Sequence, residues 1–219
     1  MSAASRAPQR SNRAAQSSNR AARAARARRR ATLAAGAAAA ALLLTACGSG
    51  GTSGGGGNTG FVTGTDGIST VAAGQRVAAP ELAGETLEGK KLDVGDYKGK
   101  VVVLNVWGSW CNPCRAEAKY FAKVSKAYEG KDVQFVGINT RDGSTTAALA
   151  FEKDFGISYP SLYDPTGKLM LRFEKGTLNP QAIPSTLVLD REGRIAARSL
   201  TALDEERLRK MLEPVVAEK

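Results

Sequence analysis

Trp110-Cys111-Asn112-Pro113-Cys114 decides the reading of this chain, together with the run Val101-Val102-Val103-Leu104-Asn105-Val106-Trp107 ahead of it. That run is nearly continuously apolar and β-branched, as a strand covered on both faces requires. Behind the motif, from Arg115 to Glu129, Tyr120, Phe121, Val124 and Tyr128 fall on one side of a helix, and Gly130 supplies a stop. Two cysteines three apart at a strand-to-helix junction read as a redox dithiol. Residues i and i+3 of a helix share a face with Cα atoms about 5 Å apart, a separation a disulfide accepts. The partial positive charge of a helix N-terminus favours a thiolate there. Pro113 suits a first helical turn, where its missing N–H is no loss. Cys111 is therefore expected to be the exposed, attacking thiol and Cys114 the resolving one.

Half of a structural zinc site is the competing reading of the pair. Zinc normally takes four Cys or His ligands. The chain has no histidine, and its only other cysteine, Cys47, has a different use. No metal is expected, and no cofactor beyond the redox-active disulfide Cys111–Cys114 itself.

Outward from the motif the pattern alternates. Val133 to Ile138 reads as a strand, giving the order strand–helix–strand of a right-handed parallel crossover. Ser144 is placed to cap a helix running to Phe155, and a shorter helical piece over 168–173 follows the turn Asp164-Pro165-Thr166-Gly167. Thr186–Leu189 and Ile195–Ala197 flank Asp190-Arg191-Glu192-Gly193 as an antiparallel hairpin. Leu87 to Leu92 looks like a small hairpin with Gly89 in its turn. The chain closes on an amphipathic helix over 204–216, with Leu208, Met211, Leu212 and Val215 facing inward. These elements make an α/β fold with a mixed sheet over residues 76–219, long enough to bury a core.

The formal charge of +10 over 219 residues invites a nucleic-acid partner, but its distribution argues against one. Residues 1–46 hold nine arginines and no acid, which leaves 22 basic against 21 acidic residues elsewhere. The basicity belongs to an export signal: an Arg-rich region ending at Arg30, an apolar stretch from Ala31 to Leu44, then small residues. The apolar stretch is shorter than the roughly 20 residues a membrane-spanning helix needs. Arg29-Arg30 leaves both the general and the twin-arginine export routes open. Leu44-Thr45-Ala46-Cys47 resembles the lipobox of bacterial lipoproteins, which implies cleavage before Cys47 and its lipidation, hence a membrane anchor. The alternative is an ordinary signal peptide with a stray cysteine beside its cleavage site. Residues 47–75 open on a Gly/Ser-rich run and are expected to form a flexible tether.

The stretch Lys98 to Glu117, with the dithiol at its centre, closely resembles the extracytoplasmic thioredoxin-like proteins of the ResA/TlpA type, and Ile183-Pro184-Ser185-Thr186-Leu187-Val188-Leu189-Asp190 looks like their second signature. The resemblance implies a thioredoxin fold with a mixed sheet, an added N-terminal β-hairpin and a helical insert, here about residues 141–173. It implies thiol–disulfide exchange outside the cytoplasm on a protein thiol substrate. It further implies a cis bond before Pro184, facing the dithiol, with Trp110, Ile183 and Pro184 as substrate contacts. Where cytoplasmic thioredoxins carry a buried acid on the strand before the motif, this chain has Asn105, and the resemblance gives Glu117 the role of tuning the cysteines and accepting a proton. The competing reading of Glu117 is a solvated helix-surface carboxylate. Lys119 stands where such helices usually have a kinking proline, so a straighter helix is expected. ResA-like members reduce the Cys-X-X-Cys-His haem site of apocytochrome c with electrons from an integral-membrane thiol carrier; others of the wider group act on copper-site cysteines.

Three rival functions remain to be weighed. A peroxiredoxin-like peroxidase wants a Thr three residues before its reactive cysteine, and here Gly108 stands there. A general oxidant or isomerase uses the same chemistry in another direction, and the histidine-free dipeptide Asn112-Pro113 favours a reductant. A non-catalytic binding module has no use for an intact dithiol.

Overall fold

The computed structural model describes residues 59–218. The segment expected to be an export signal, Cys47 with its expected lipobox, and the expected tether up to residue 58 lie outside the described residues. Nine strands are present among the described residues: β1 (Val62–Thr63), β2 (Ile68–Thr70), β3 (Ala83–Glu85), β4 (Lys91–Asp93), β5 (Val101–Trp107), β6 (Val133–Thr140), β7 (Ser161–Asp164), β8 (Ser185–Leu189) and β9 (Ile195–Ser199). Three α-helices accompany them: α1 (Asn112–Ala127), α2 (Thr145–Phe155) and α3 (Glu205–Ala217). Seven strands form one mixed sheet in the order β1-β2-β9-β8-β5-β6-β7, and β3 pairs with β4 as a separate hairpin. The centre is β5, parallel to β6 on one side and antiparallel to β8 on the other.

All seven residues of β5 are buried, and the strand's period of two sorts them to opposite faces. Val101 and Val103 pack with Phe121 and Val124 of α1 and with Leu208, Met211 and Leu212 of α3. Val102, Leu104 and Val106 pack on the other face with Leu82, Val94 and Met170. Trp107 ends the strand among Cys111, Cys114, Ala148 and Phe151, so α2 lies beside α1 at the end of the sheet that carries the dithiol. The C-terminal helix is capped by Asp204, whose carboxylate accepts from Arg207 N at 2.8 Å.

The structure corrects several boundaries. Residues expected as the end of the tether form β1 and β2, and β2 pairs antiparallel with β9, so the sheet begins well before residue 76. The Asp66-Gly67 turn between two β-branched runs is a hairpin signal that the glycine-rich surroundings obscured. The hairpin is wider than Leu87–Leu92: β3 lies before that stretch and β4 begins within it at Lys91, while Gly89 occupies the turn at φ +76° and Leu87 is buried against the dithiol cluster. Residues 141–173 hold α2 but also the strand β7, parallel to β6, and the expected helical piece at 168–173 is a single 3-10 turn, Met170–Arg172. Four residues after Pro160 are too few to show a period, and their pairing comes from the neighbouring strand. Helix α1 starts at Asn112, directly after the first cysteine, and runs unbroken through Lys119.

Candidate active site

The end of β5 and the start of α1 place the dithiol. Cys111 is the residue that precedes the first turn of α1, in extended conformation, and its Sγ accepts from Cys114 N at 3.2 Å. The two cysteines are joined as a disulfide with Cα atoms 5.2 Å apart, the separation that helical i, i+3 spacing dictates. A backbone N–H aimed at the first sulfur, added to the helix dipole, stabilises negative charge on Cys111 once the bond is reduced. The expectation of an exposed Cys111 is not met. Cys111 is 4% exposed and Cys114 1%, because Trp107, Leu87, Ala118 and the Ile183 loop pack around the pair. Cys111 is the more accessible sulfur, but by a narrow margin.

The Ile183–Pro184 peptide is cis, and the carbonyl oxygen of Ile183 lies 3.8 Å from Cys111 Sγ. The residues named for substrate contact are thus brought to the dithiol. Trp110 is half exposed beside it, with the Arg141 guanidinium 4.9 Å from its ring centre.

Glu117, one helical turn beyond Cys114, is not the solvated carboxylate of the competing reading. It is 2% exposed and accepts two hydrogen bonds, from Asn105 Nδ2 and from Leu203 N, both at 2.9 Å. Burial pushes its pKa up to about 7, and the two hydrogen bonds to the charged form hold it from rising further. Asn105 supplies a neutral donor to the acid on α1, so the buried charge of this site sits on the helix instead of the strand.

Sequence reasoning missed the residues that brace the active-site loop. The Asp142 carboxylate, itself buried, accepts from Ser109 N at 2.8 Å, from Ser109 Oγ at 2.5 Å and from Asn139 Nδ2 at 2.6 Å. Arg141 precedes it at φ +60°, a left-handed conformation that a bulky residue adopts only under constraint. Arg115 leans over the rings of Phe151 and Phe155 at 5.5 and 5.2 Å, tying α1 to α2. Nothing in the sequence marks Asp142, because its partners lie on β6 and on the loop after β5. Asp142→Ala leaves three donors without their acceptor and is expected to cost about 2–3 kcal/mol. Denaturant unfolding checks this, and an unchanged midpoint would show that the brace carries no energy.

With that geometry in hand, likeness to known proteins becomes specific. Residues 72–213 match the redoxin family. The thiol-disulfide oxidoreductase ResA of Bacillus cereus is 29% identical over 137 residues, which cover 63% of this chain and 76% of that protein. The crystal structure of a DsbF homologue from Corynebacterium diphtheriae superimposes with a TM-score of 0.63 at 37% identity, over 70% of this chain and 96% of that one. A secreted thiol-disulfide isomerase from Corynebacterium glutamicum does so with a TM-score of 0.63 at 30% identity, over 72% and 97% of the two chains. The matched stretch spans the β5–α1 junction, the dithiol and the cis-proline loop: this chain belongs to the redoxin family and is a thiol–disulfide oxidoreductase of the ResA type.

Proposed function

We propose that the protein is a lipid-anchored, extracytoplasmic reductant of apocytochrome c, opening the disulfide of its haem-binding cysteines so that haem can be attached. The observation that carries this reading is the buried Glu117 one turn from Cys114, with a pKa near 7. A reductant must turn Cys114 into the nucleophile that releases the reduced substrate, and a carboxylate of that pKa is suited to take the thiol proton. The cycle starts with Cys111 thiolate attacking one sulfur of the substrate disulfide and expelling the other as a thiolate. Cys114 then attacks Cys111 Sγ, the second substrate thiolate departs, and the Cys111–Cys114 disulfide remains. Two electrons have passed to the substrate, and an integral-membrane thiol carrier restores the dithiol. Likeness to the thiol-disulfide oxidoreductase ResA supports the chemistry, and the histidine-free Asn112-Pro113 dipeptide supports its direction. The export signal and the lipobox Cys47 support a membrane anchor, with the Gly/Ser run after Cys47 as the leash.

Deleting the gene is expected to abolish covalent haem staining of c-type cytochromes, and added dithiothreitol to restore it. Normal staining in the deletion strain would refute this substrate. Mass spectrometry of the membrane fraction is expected to find residues 1–46 removed and acyl mass on Cys47.

One observation favours a second reading. The Corynebacterium glutamicum structure is that of a secreted isomerase, which points to rearrangement of disulfides instead of their reduction. The reduction potential of the Cys111/Cys114 couple separates the two, since a reductant lies near about −270 mV or below and a disulfide isomerase near about −180 mV.

A further inference from the structure

A second buried carboxylate, besides Glu117, lies on the helix whose Phe151 packs in the dithiol cluster. Glu152, on the inner face of α2, is buried and accepts from Ser161 Oγ at 2.6 Å. The same hydroxyl accepts from the indole Nε1 of Trp107 at 3.3 Å. Trp107 stacks on Phe151 with ring centres 4.5 Å apart and packs in one cluster with Cys111 and Cys114. A continuous hydrogen-bonded chain therefore runs from Glu152 on α2, through Ser161 on β7, to the tryptophan that walls the dithiol.

The backbone leaves room for this chain at a specific place. Gly137 on β6 lies beneath it, and a Cβ there would collide with the Ser161 hydroxyl and come within 2.8 Å of the Trp107 indole nitrogen. Any side chain at 137 would push the hydroxyl and the indole apart. Three strands and one helix thus contribute to a contact that no element makes alone.

We propose that Glu152 is a positioning residue for the redox centre: through Ser161 it holds the Trp107 indole against the dithiol, and its charge acts on the thiolate that forms there. The assignment concerns the exchange reaction itself and holds whichever protein is the substrate. With Glu152 ionised, Ser161 donates to the carboxylate and turns a lone pair to the indole N–H. With Glu152 protonated, the carboxylic acid can donate to the hydroxyl, and the buried negative charge behind Trp107 is gone. A buried negative charge disfavours a thiolate nearby. Burial lifts the Glu152 pKa to about 7, the Ser161 bond lowers it and the Glu88 carboxylate adds to the rise, so the change of state falls within the working pH range.

The groups that face Glu152 are few. Ser161 approaches from β7, Glu88 from the β3–β4 turn, and Tyr159 from the segment entering β7. The Tyr159 phenol is pushed up by its own burial, then by Glu117 and Glu152, and among the described residues its hydroxyl has no hydrogen-bond partner. Arg115 of α1 sits over the rings of Phe151 and Phe155 beside it, and the dithiol lies beyond Trp107.

The indole N–H cross-peak of Trp107 reads this contact directly, since the chain has two tryptophans and Trp110→Phe identifies the signal. In the oxidised protein, where neither cysteine titrates, the peak is expected to shift with a midpoint near pH 7. That shift should vanish in Glu152→Gln and in Ser161→Ala, and persist in Glu117→Gln. In the reduced protein, Glu152→Gln should react severalfold faster than wild type with a small disulfide at pH 8, and at the same rate at pH 5.5, where both side chains are neutral. A peak that still titrates in Glu152→Gln, or equal rates at pH 8, overturns the proposal. If Glu152→Gln does not fold, Ser161→Ala carries the test: a Trp107 peak that titrates as in wild type after loss of the bridging hydroxyl also overturns it.

Discussion

Cys111→Ser is expected to leave no exchange activity above background, a loss on the order of 10⁴-fold or more, because the remaining thiol of the site, Cys114, is buried behind it and does not reach a substrate disulfide. Cys114→Ser should behave differently. Its Cys111 still attacks, but nothing resolves the product, so the protein accumulates as a mixed disulfide with its substrate. The asymmetry follows from the geometry: Cys111 faces the Ile183 carbonyl and receives the Cys114 N–H, whereas Cys114 is the more deeply buried sulfur. Non-reducing electrophoresis of the two variants after incubation with a disulfide-bearing protein checks both statements. Equal trapping by both would remove the assignment of roles, and residual turnover in Cys111→Ser would remove the mechanism.

Glu117→Gln should make the oxidised protein more stable at pH 8 while slowing its chemistry. The carboxyl has a pKa of about 7 when folded against 4.5 for the ordinary group, so between those values the folded protein holds a proton that the unfolded chain has released. Stability then falls as pH rises through that window, by on the order of 3 kcal/mol for such a shift, and below it the group contributes no difference. A glutamine has no charge to desolvate. It can keep the bond from Leu203 N, and rotation of the Asn105 amide restores the other. Urea unfolding at pH 4.5 and pH 8 is expected to give similar stabilities at the lower pH and a more stable variant at the higher one. Glu152, whose pKa is also lifted to about 7, keeps part of the wild-type slope in the variant. The rate of substrate release at pH 7 should drop about 10²-fold, the usual worth of a positioned base. A variant less stable than wild type at pH 8 would mean that the hydrogen bonds to the carboxylate outweigh its burial.

The dithiol, the strand feeding it and the helix leaving it were legible because their signals are local. A buried strand announces itself by an unbroken apolar run, a helix by its period, and Cys-X-X-Cys by a spacing that one helical turn closes into a disulfide. The central β5–α1–β6 unit and the β8–β9 hairpin needed nothing else. Glu117 was intermediate. Its spacing from Cys114 put it on the right face, but the sequence alone did not exclude a solvated carboxylate there. Packing removed the second, since Leu203, distant along the chain, delivers the backbone N–H that makes the burial bearable. Strands β1, β2 and β7 escaped because two to four residues carry no period, and they exist by borrowing hydrogen bonds from β9 and β6.

By itself, then, the sequence determined the reaction: two cysteines three apart at a helix start exchange disulfides. The tertiary structure alone decided how that reaction is tuned. The brace from Asp142 to Ser109, the carbonyl of Ile183 beside Cys111, the Asn105–Glu117 pair and the Trp107–Ser161–Glu152 chain all join residues from separate strands and helices. The physical reason is the same for each. The partners are set by packing across the sheet, not by neighbours along the chain, and for Glu117 and Glu152 burial together with those hydrogen bonds sets the protonation.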